Sequence, residues 1–516
     1  MLEIPPQPER PQPAPEPPSP PKLKPIDREQ SVLRVLQVDE LVPEDHKVRA
    51  IWELTGGWTL DSFYANIQSR EGAAGRAAWN PRLLLAVWLY SYSEQVTSAR
   101  EVERMMEYEP GLMWLAGLGE INHHTLSDFR ANHAQELQQI MQELLAMLSL
   151  EGLVKLELVA HDGTKVRAQA GADTLRREKT LEQELANAKQ VLEQLERERQ
   201  NEGEGDSLNR RQAARQRAAR ERDERLHQAQ QELEKIRKTK RKAEREQARV
   251  SLTEPEARVM KHGDQSMAPS YNVQLSTDAE HKIVVGVHLT QCSSDSRSLA
   301  PAMEEVHANL GSYPRQVVAD GGFTNTRSIQ AMQDKEIDFY GSLGSEEARQ
   351  AGAMKAAGID VAFAPAKFVI LEPKKTLQCP AGKELKYVRH SRKRGEHYHQ
   401  YQASGSDCSA CEFQKQCCPK LAGRTVSIRQ GDKTVSANFR QKMASEEARA
   451  IYRRRGAIAE FPNCWIKEKI GLRKFRLRGL AKAGIEACWA VLTYNAMQWM
   501  RLAWRPGRTI AAGAAA

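Results

Sequence analysis

The spacing of apolar residues predicts an all-helical region at the start of the chain. Between about residues 26 and 151, apolar side chains recur at intervals of three and four, as Leu83, Val87 and Tyr90 do. A capping-box pattern at residues 125–128 predicts a helix that begins there and runs toward Leu148. We therefore expect a compact helical domain before the first strand.

A second pattern predicts a long helical insertion. Residues 153–160 alternate between apolar and polar side chains, which predicts a strand that leads into residues 161–164. From residue 175 to 250 the pattern changes, and leucine and alanine recur in steps of four and three. These steps predict an antiparallel coiled-coil hairpin with its turn at 201–207. Residues 171–210 hold 7 basic and 10 acidic residues, and residues 211–250 hold 14 and 7. A structural spacer and a contact for DNA or a partner remain alternative interpretations of the hairpin.

Strand patterns return after the insertion and predict a mixed sheet with flanking helices. Alternating residues from 271 to 289 indicate a β-hairpin. Helices are predicted at 298–310 and 325–335, and strands near 315–320 and 337–341, followed by a loop-rich stretch and then helices. We read the final one, from Ile485 to Leu502, as a core helix.

Charge favours a polyanionic partner. The chain of 516 residues has 76 Lys plus Arg against 67 Asp plus Glu, a net charge of +9, and residues 451–510 alone hold 13 basic and 3 acidic residues. A stretch with so many basic residues is more often a nucleic-acid-binding surface than a basic surface that only faces solvent. The longest apolar run has eight residues and residues 1–26 are proline-rich, so we expect no membrane span and no signal peptide.

The cysteines predict a structural zinc site. Cys408 and Cys411 have the C-x2-C spacing that lets two thiolates bind one tetrahedral ion, and Cys379 with Cys417 or Cys418 would complete the set. Four thiolates leave no open position for catalysis. Redox cysteines and unrelated free thiols are the alternatives.

Three acidic residues are candidates for a metal site. Asp162 and Asp320 are each expected to end a strand and are each followed by glycine. Paired carboxylates of this kind hold Mg²⁺ ions in two-metal phosphoryl transfer, although Asp-Gly is also a common turn. Glu460 precedes Lys467 by seven residues, which is two helical turns, and Pro462 suits a helix that begins near Ala459.

The ordered set of motifs resembles a bacterial insertion-sequence transposase of the DDE type. It comprises residues 161–164, 270–274 and 319–323, then Tyr452, Arg455, Glu460 and Lys467 of a Tyr-Arg-Glu-Lys-like signature. Residues 42–46, 97–100 and 124–130 are similar to the helical domain that such enzymes carry first. Four residues rather than three separate Arg455 from Glu460, so Arg453 or Arg454 are alternatives for the arginine.

The resemblance implies a catalytic Asp162, Asp320 and Glu460 with two Mg²⁺ ions, for which Mn²⁺ can substitute. It implies cleavage of phosphodiester bonds at the transposon ends and joining of the 3′-hydroxyl to target DNA. Expected partners are double-stranded DNA and a second copy of the chain in the synaptic complex, and the expected location is the bacterial cytoplasm, on the nucleoid when bound to DNA. The expected DNA-binding residues are Tyr452, Arg455, Lys467, Arg473, Lys474, Arg476, Arg478 and Arg130.

These expectations define an α/β fold class and eight segments. The class is an RNase H-like mixed sheet with flanking helices, preceded by an all-helical domain and interrupted by a coiled-coil hairpin and a Cys-rich insert. The segments are a disordered Pro-rich tail (1–26), a helical DNA-binding domain (27–151), the first part of the core (152–174), the hairpin (175–250), the second part of the core (251–345), the Cys-rich insert (346–440), basic catalytic helices (441–505) and a flexible tail (506–516).

Two alternative functions share much of this pattern. An RNase H-like nuclease without strand transfer would keep all three acidic residues. A non-catalytic DNA-binding protein from a decayed element would be free to lose them, and the presence of all three favours the enzyme.

Overall fold

The amino-terminal helices pack around one buried helix. The computed structural model describes residues 29, 31, 35–69, 77–201, 206–371, 376–393, 396–419, 423–429 and 432–507. The α-helices that it places before the first strand are α1 (Lys47–Gly56), α2 (Asp61–Ala65), α3 (Pro81–Ser93), α4 (Ala99–Met105), α5 (Pro110–Ala116), α6 (His123–Asn132) and α7 (Ala134–Leu150). Asn80 caps α3 by accepting a hydrogen bond from the Arg82 N–H, and Pro81 occupies its first turn.

The predicted helix from residue 125 toward 148 is wrong, because the chain breaks at His133. The side chain of Asn122 caps α6 instead, by accepting from the His124 N–H. At His133 the backbone leaves helical geometry, with φ −114° and ψ 54°. Its ring packs against Phe63 and Phe129, at centroid distances of 5.0 and 4.7 Å. Tertiary contact therefore decides where α6 ends and α7 begins.

A mixed sheet follows the helices. In chain order, the strands of this region are β1 (Leu158–Arg167), β2 (Leu175–Arg176), β3 (Val250–Ser251), β4 (Arg258–Lys261), β5 (Met267–Asp278), β6 (Val284–Thr290), β7 (Gln316–Ala319) and β8 (Asp338–Tyr340). The sheet has the order β4-β5-β1-β7-β8, and β6 also pairs with β5. β1 is antiparallel to β5 and parallel to β7, and β7 is parallel to β8.

The first strand lies further along the chain than its pattern predicts. β1 begins at Leu158 rather than at residue 153 and continues through Asp162 to Arg167. Its residues from Val159 onward all pair with β5. The prediction that Asp162 ends a strand is therefore wrong, because the partner strand extends the ladder five residues beyond it.

Two long helices form the insertion after β2. α8 (Glu178–Asn201) and α9 (Asp206–Thr239) run in opposite directions, since Arg222 bonds Glu184 at 2.7 Å and Arg237 bonds Glu178. The predicted seam residues that are buried between them are Leu181, Ala188, Leu195, Leu226, Ala229 and Leu233. Most of the predicted turn, residues 202–205, lies outside the described residues.

The stretch predicted to be loop-rich contains a second sheet, so that prediction is wrong. After α10 (Leu299–Leu310), α11 (Thr326–Gln333) and α12 (Gly344–Ala356), the chain forms β9 (Val369–Leu371), β10 (Thr376–Gln378), β11 (Glu384–Lys393) and β12 (Glu396–Ala403), then α13 (Gly405–Ser409), α14 (Gln414–Cys417) and β13 (Thr425–Arg429). The five strands follow the order β13-β12-β11-β10-β9. A small core of Phe368, Leu377, Leu385, Tyr401 and Val426 holds them together.

The last helix joins the amino-terminal helices to the sheet. After α15 (Asp432–Ala444), α16 (Glu446–Arg453) and α17 (Arg455–Glu468), α18 (Leu480–Leu502) is buried along most of its length, as predicted. Trp489 stacks on Tyr92 of α3 at 6.3 Å. Asn495 accepts from the Val284 N–H at 2.9 Å and donates to its carbonyl at 2.8 Å, so α18 completes the backbone bonding of β6.

The described helices include none that combines the length and apolarity needed to cross a membrane. The predicted tail at 1–26 and residues 508–516 of the predicted tail at 506–516 lie outside the described residues.

We predict that Asn495→Leu lowers the free energy of unfolding by about 2–4 kcal/mol. The substitution leaves both the N–H and the carbonyl of Val284 without a partner in a buried position, and each such loss costs about 1–3 kcal/mol. Urea unfolding followed by circular dichroism measures the change. Thr493→Val is the matched control, because the Thr493 hydroxyl donates to the Trp489 carbonyl within the same helix, and it should cost less than about 1 kcal/mol. Equal losses in the two variants would contradict the prediction.

Candidate active site

Two aspartates meet at neighbouring positions of the core sheet. In the parallel ladder, His161 of β1 pairs with Ala319, the last residue of β7. Asp162 follows the first of these residues and Asp320 the second, so the parallel strands carry both carboxylates to the same place. Only Asp320 stands at a strand end, and Asp162 lies within β1.

The surroundings of Asp162 disfavour its charged form. Burial, which disfavours the charged form, is the largest cause that raises the pKa of Asp162 to about 6, and the negative charges of Asp320 and Asp295 add to it. The Gly163 N–H, which donates to Oδ1 of Asp162 at 2.9 Å, and the charge of Arg455 oppose this shift. A group of negative charges around one buried carboxylate is a suitable setting for a cation.

The second aspartate is set in a glycine turn. Oδ1 of Asp320 accepts from the Gly322 N–H at 2.6 Å, and the Thr324 hydroxyl donates to the Asp320 carbonyl at 2.9 Å. A Cβ on Gly322 would stand 2.9 Å from Oδ1, which is closer than real side chains allow. The glycine therefore lets the backbone N–H reach the carboxylate.

Helix α17 lies against the aspartates. Nδ2 of Asn463 donates to Oδ2 of Asp162 at 2.9 Å. Glu460 stands three residues earlier and Lys467 four residues later, which places all three on one side of the helix. The Glu460 side chain is exposed. Across the described ranges, no three His, Cys, Asp or Glu side chains are arranged so as to hold a metal ion.

The prediction for the start of this helix is wrong. α17 begins at Arg455, so Pro462 lies inside the helix rather than in its first turn. Proline in a helix interior removes a hydrogen bond and costs about 3 kcal/mol. Burial of Pro462 together with Ile458, Ala459 and Ile466 against the sheet offsets that cost.

The structure separates the candidate residues of the Tyr-Arg-Glu-Lys-like signature. Arg455 is close enough to lower the pKa of Asp162, whereas Arg453 forms an ion pair with Glu446. Tyr452 lies on α16 beside the end of β8, where it lines a cleft with Gly341 and Arg449. Arg455 therefore places a positive charge near Asp162, whereas the charge of Arg453 is paired with Glu446.

A basic segment continues from the far end of β1. The Arg167 N–H donates to the Arg473 carbonyl at 3.3 Å, and the Phe475 N–H donates to the Arg167 carbonyl at 2.9 Å, so this segment pairs with the strand. The side chains of Arg473, Lys474, Arg476 and Arg478 are exposed, as a role in DNA binding requires. Lys467 is partly buried nearby, and burial and the charge of Arg473 lower its pKa.

The prediction that Arg130 contacts DNA is corrected by its position. The side chain is only 4% exposed, its guanidinium lies 4.6 Å from the centre of the Trp88 ring, and it donates to the Thr97 carbonyl. The buried carboxylate of Glu486 faces the same interior, since the charge of Arg130 lowers the pKa of Glu486 against the larger effect of burial. Arg130 belongs to the core.

Two residues of this site were missed by the sequence reasoning. Asn463 shares the helical spacing of Glu460 and Lys467, and that spacing could have indicated it. Asp295 comes from the loop between β6 and α10, and no periodic pattern marks it.

The predicted zinc ligands line one small cavity. Cys379, Cys408, Cys411 and Cys417, together with Cys418, surround a space of about 20 Å³. The Lys383 N–H donates to Sγ of Cys379 at 3.2 Å, and the Arg424 N–H donates to Sγ of Cys408 at 3.4 Å. Burial raises the pKa of the Cys417 thiol to about 11, against the charge of Arg424.

Comparison with known families agrees with the sequence resemblance. Residues 378–500 match the family described as "Transposase DDE domain", and residues 36–132 match "Transposase domain (DUF772)". Glu460 lies within the first match, whereas Asp162 and Asp320 lie outside both. No curated protein matches the chain. These two matches, one in each end region of the chain, support a DDE-type insertion-sequence transposase.

Proposed function

We propose that this transposase binds the terminal repeats of its element, cuts phosphodiester bonds at the ends and joins the 3′-hydroxyl to target DNA. The observation that carries the proposal is the meeting of Asp162 and Asp320 on parallel strands, beneath a helix that bears Glu460. The order of the sheet, with one antiparallel and one parallel neighbour for β1, supports an RNase H-like core.

We propose Asp162, Asp320 and Glu460 as the residues that hold two Mg²⁺ ions, which Mn²⁺ can replace. The proposal is supported by the chemistry of the donors, because carboxylates are the hard ligands that Mg²⁺ prefers, and by the negative charge of Asp320 beside the buried Asp162 carboxylate. When bound, the ions supply activation of the attacking oxygen and stabilisation of the leaving one. Asn463 holds the Asp162 carboxylate in place through its hydrogen bond.

The basic residues around the site are proposed to hold the DNA backbone. Arg455 and Lys467 flank the carboxylates, and the basic segment 473–478 extends away from them along the end of β1. Contacts of this kind position the duplex without reading its sequence. Tyr452 is proposed to contact DNA from the cleft at the end of β8.

The remaining parts of the chain receive supporting roles in the proposal. The proposed domains are the eight segments predicted from the sequence, and the helices of 27–151 are proposed to bind the repeats. A homodimer is proposed for the synaptic complex, because two transposon ends must be brought together, and the bacterial nucleoid as its location.

We also propose that Cys379, Cys408, Cys411 and Cys417 hold a structural Zn²⁺. Backbone N–H groups donate to two of the sulfurs, which favours thiolates, and the thiols converge on one cavity. A zinc ion there would tie the loops of the second sheet together.

Asp320→Asn is predicted to reduce cleavage and joining at least about 100-fold, because loss of several kcal/mol of transition-state stabilisation costs tenfold per about 1.4 kcal/mol. The assay uses labelled duplex carrying the element's own terminal repeats in Mg²⁺, and DNA binding should persist. Asp334→Asn, at an exposed aspartate after α11, is the control and should stay active.

The same assay separates the alternatives. Cleavage without joined product by the wild type would indicate a nuclease. Binding without cleavage would indicate a binding-only protein. Equal activity of wild type and Asp320→Asn would mean that the active site lies elsewhere.

Lys474→Ala combined with Arg476→Ala is predicted to weaken DNA binding and to reduce the dependence of log Kd on log salt concentration by about two, since each phosphate contact contributes about 0.9. Both side chains are exposed. Fluorescence anisotropy across a salt series measures the slope. Arg315→Ala is the control and should leave the slope unchanged, because this exposed side chain precedes β7, at the end of that strand away from Asp320. An unchanged slope in the double variant would remove the segment from the proposed DNA surface.

Zinc analysis of the purified chain is predicted to find about one ion per chain, as a four-thiolate site requires. Cys411→Ser should lose it, and removal of the ion with a chelator should lower the melting temperature. Cys292→Ser, at an exposed thiol outside the cavity, should retain the zinc. Wild-type protein without zinc would leave the cysteines as free thiols.

A further inference from the structure

A third aspartate is held beside the proposed metal site by two amides. Oδ1 of Asp295 accepts from Nδ2 of Asn272 at 2.7 Å and from Nε2 of Gln274 at 2.9 Å. Both amides belong to β5, the antiparallel neighbour of β1. Among the described residues, no donor bonds to Oδ2 of Asp295, so this oxygen could accept a further hydrogen bond or face a cation.

The Asp295 carboxylate lies directly against the backbone of β1. A Cβ on Gly163 would stand 2.7 Å from Oδ1 of Asp295 and 2.6 Å from Nε2 of Gln274. The glycine after Asp162 therefore serves close packing within the strand rather than a turn. Asp295 therefore lies against the residue that follows Asp162 in the strand, and its negative charge contributes to raising the pKa of Asp162.

The loop of Asp295 is also tied to the second catalytic aspartate. Nδ2 of Asn272 donates to the Cys292 carbonyl at 3.2 Å, and Nδ2 of Asn325 donates to the Ser296 carbonyl at 2.8 Å. Asn325 caps α11, directly after the glycine turn of Asp320. These bonds thus connect the loop of Asp295 both to β5 and to the segment that follows Asp320.

Among the residues that the structure describes, two buried amide oxygens at this place have no hydrogen-bond partner. Oδ1 of Asn272, whose residue is 1% exposed, would stand 3.0 Å from a Cβ on Gly163. Oδ1 of Asn463, whose residue is 9% exposed, belongs to the amide that bonds Asp162. Unsatisfied buried acceptors next to several carboxylates indicate a site for a cation or for the water around it.

We infer that Asp295 is a positioning residue of the metal site, which strengthens divalent-cation binding at Asp162 and Asp320 through its fixed negative charge. The inference rests on the proposed function, since it takes those two aspartates as metal ligands. Residues around the ligands of a metal site commonly affect affinity about 10- to 100-fold. The amides of residues 272 and 274 hold this charge in place.

Asp295→Asn separates charge from hydrogen bonding. The asparagine keeps an Oδ1 that can accept from both amides, but it loses the negative charge. We expect it to weaken Mn²⁺ binding about 10-fold, measured by electron paramagnetic resonance of free Mn²⁺, and to raise the Mg²⁺ concentration for half-maximal DNA cleavage similarly. Its melting temperature without metal and its DNA binding without metal should match the wild type.

Further variants control for structural damage. Asp295→Glu keeps the charge and should retain more Mn²⁺ affinity than Asp295→Asn, while Asp334→Asn should bind as the wild type does. Unchanged affinity in Asp295→Asn would overturn the inference. If Asp295→Asn melts at a lower temperature, equally weak binding by Asp295→Glu would also overturn it, because the role would then be purely structural.

The wild type distinguishes this failure from failure of the proposed function. Wild-type protein that neither binds Mn²⁺ nor cleaves DNA would overturn both. Wild-type protein that does both, beside an Asp295→Asn variant with the same Mn²⁺ affinity, would overturn only the role of Asp295.

Discussion

The central strand β1 is hydrogen-bonded along both edges, and the candidate active site depends on that arrangement. On one edge, the parallel ladder sets Ala319 beside His161, so that Asp320 arrives next to Asp162. On the other edge, the antiparallel ladder sets Gln274 opposite Gly163. A register shift of one residue would turn Asp162 to the opposite face of the sheet. The two ladders together therefore decide which side chains meet.

The charges around β1 follow from what the sheet brings together. Carboxylates that share a buried place repel each other, and cationic groups or hydrogen bonds must offset that repulsion. Asn463 and Arg455, both on α17, act on Asp162 in this way. The basic segment beyond them is tethered to the core, because the carboxylate of Glu486 accepts from the N–H groups of Arg476 and Leu477. An acidic centre with a basic border suits a substrate made of phosphates and the cations that accompany them.

Much of the fold follows from local periodicity. The heptad steps predicted two paired helices, and the alternation after Ser270 predicted the β5–β6 hairpin, because helix and strand periods depend only on neighbouring residues. The break at His133 and the second sheet were not predictable in this way. The break depends on aromatic contacts with Phe63, distant in the chain, and the second sheet on a core assembled from short, separated strands.

For the site, the sequence by itself determined the residue types and the local spacings: acidic residues followed by glycine, and Glu460 two helical turns before Lys467. These are properties of short segments, so they survive any arrangement of the rest. Only the tertiary structure decided which of them meet. It carried Arg130 into the interior, placed Asn463 on Asp162, and set Asp295 against Gly163. Contacts between residues more than a hundred positions apart are created by strand register and helix packing, and no local pattern encodes them.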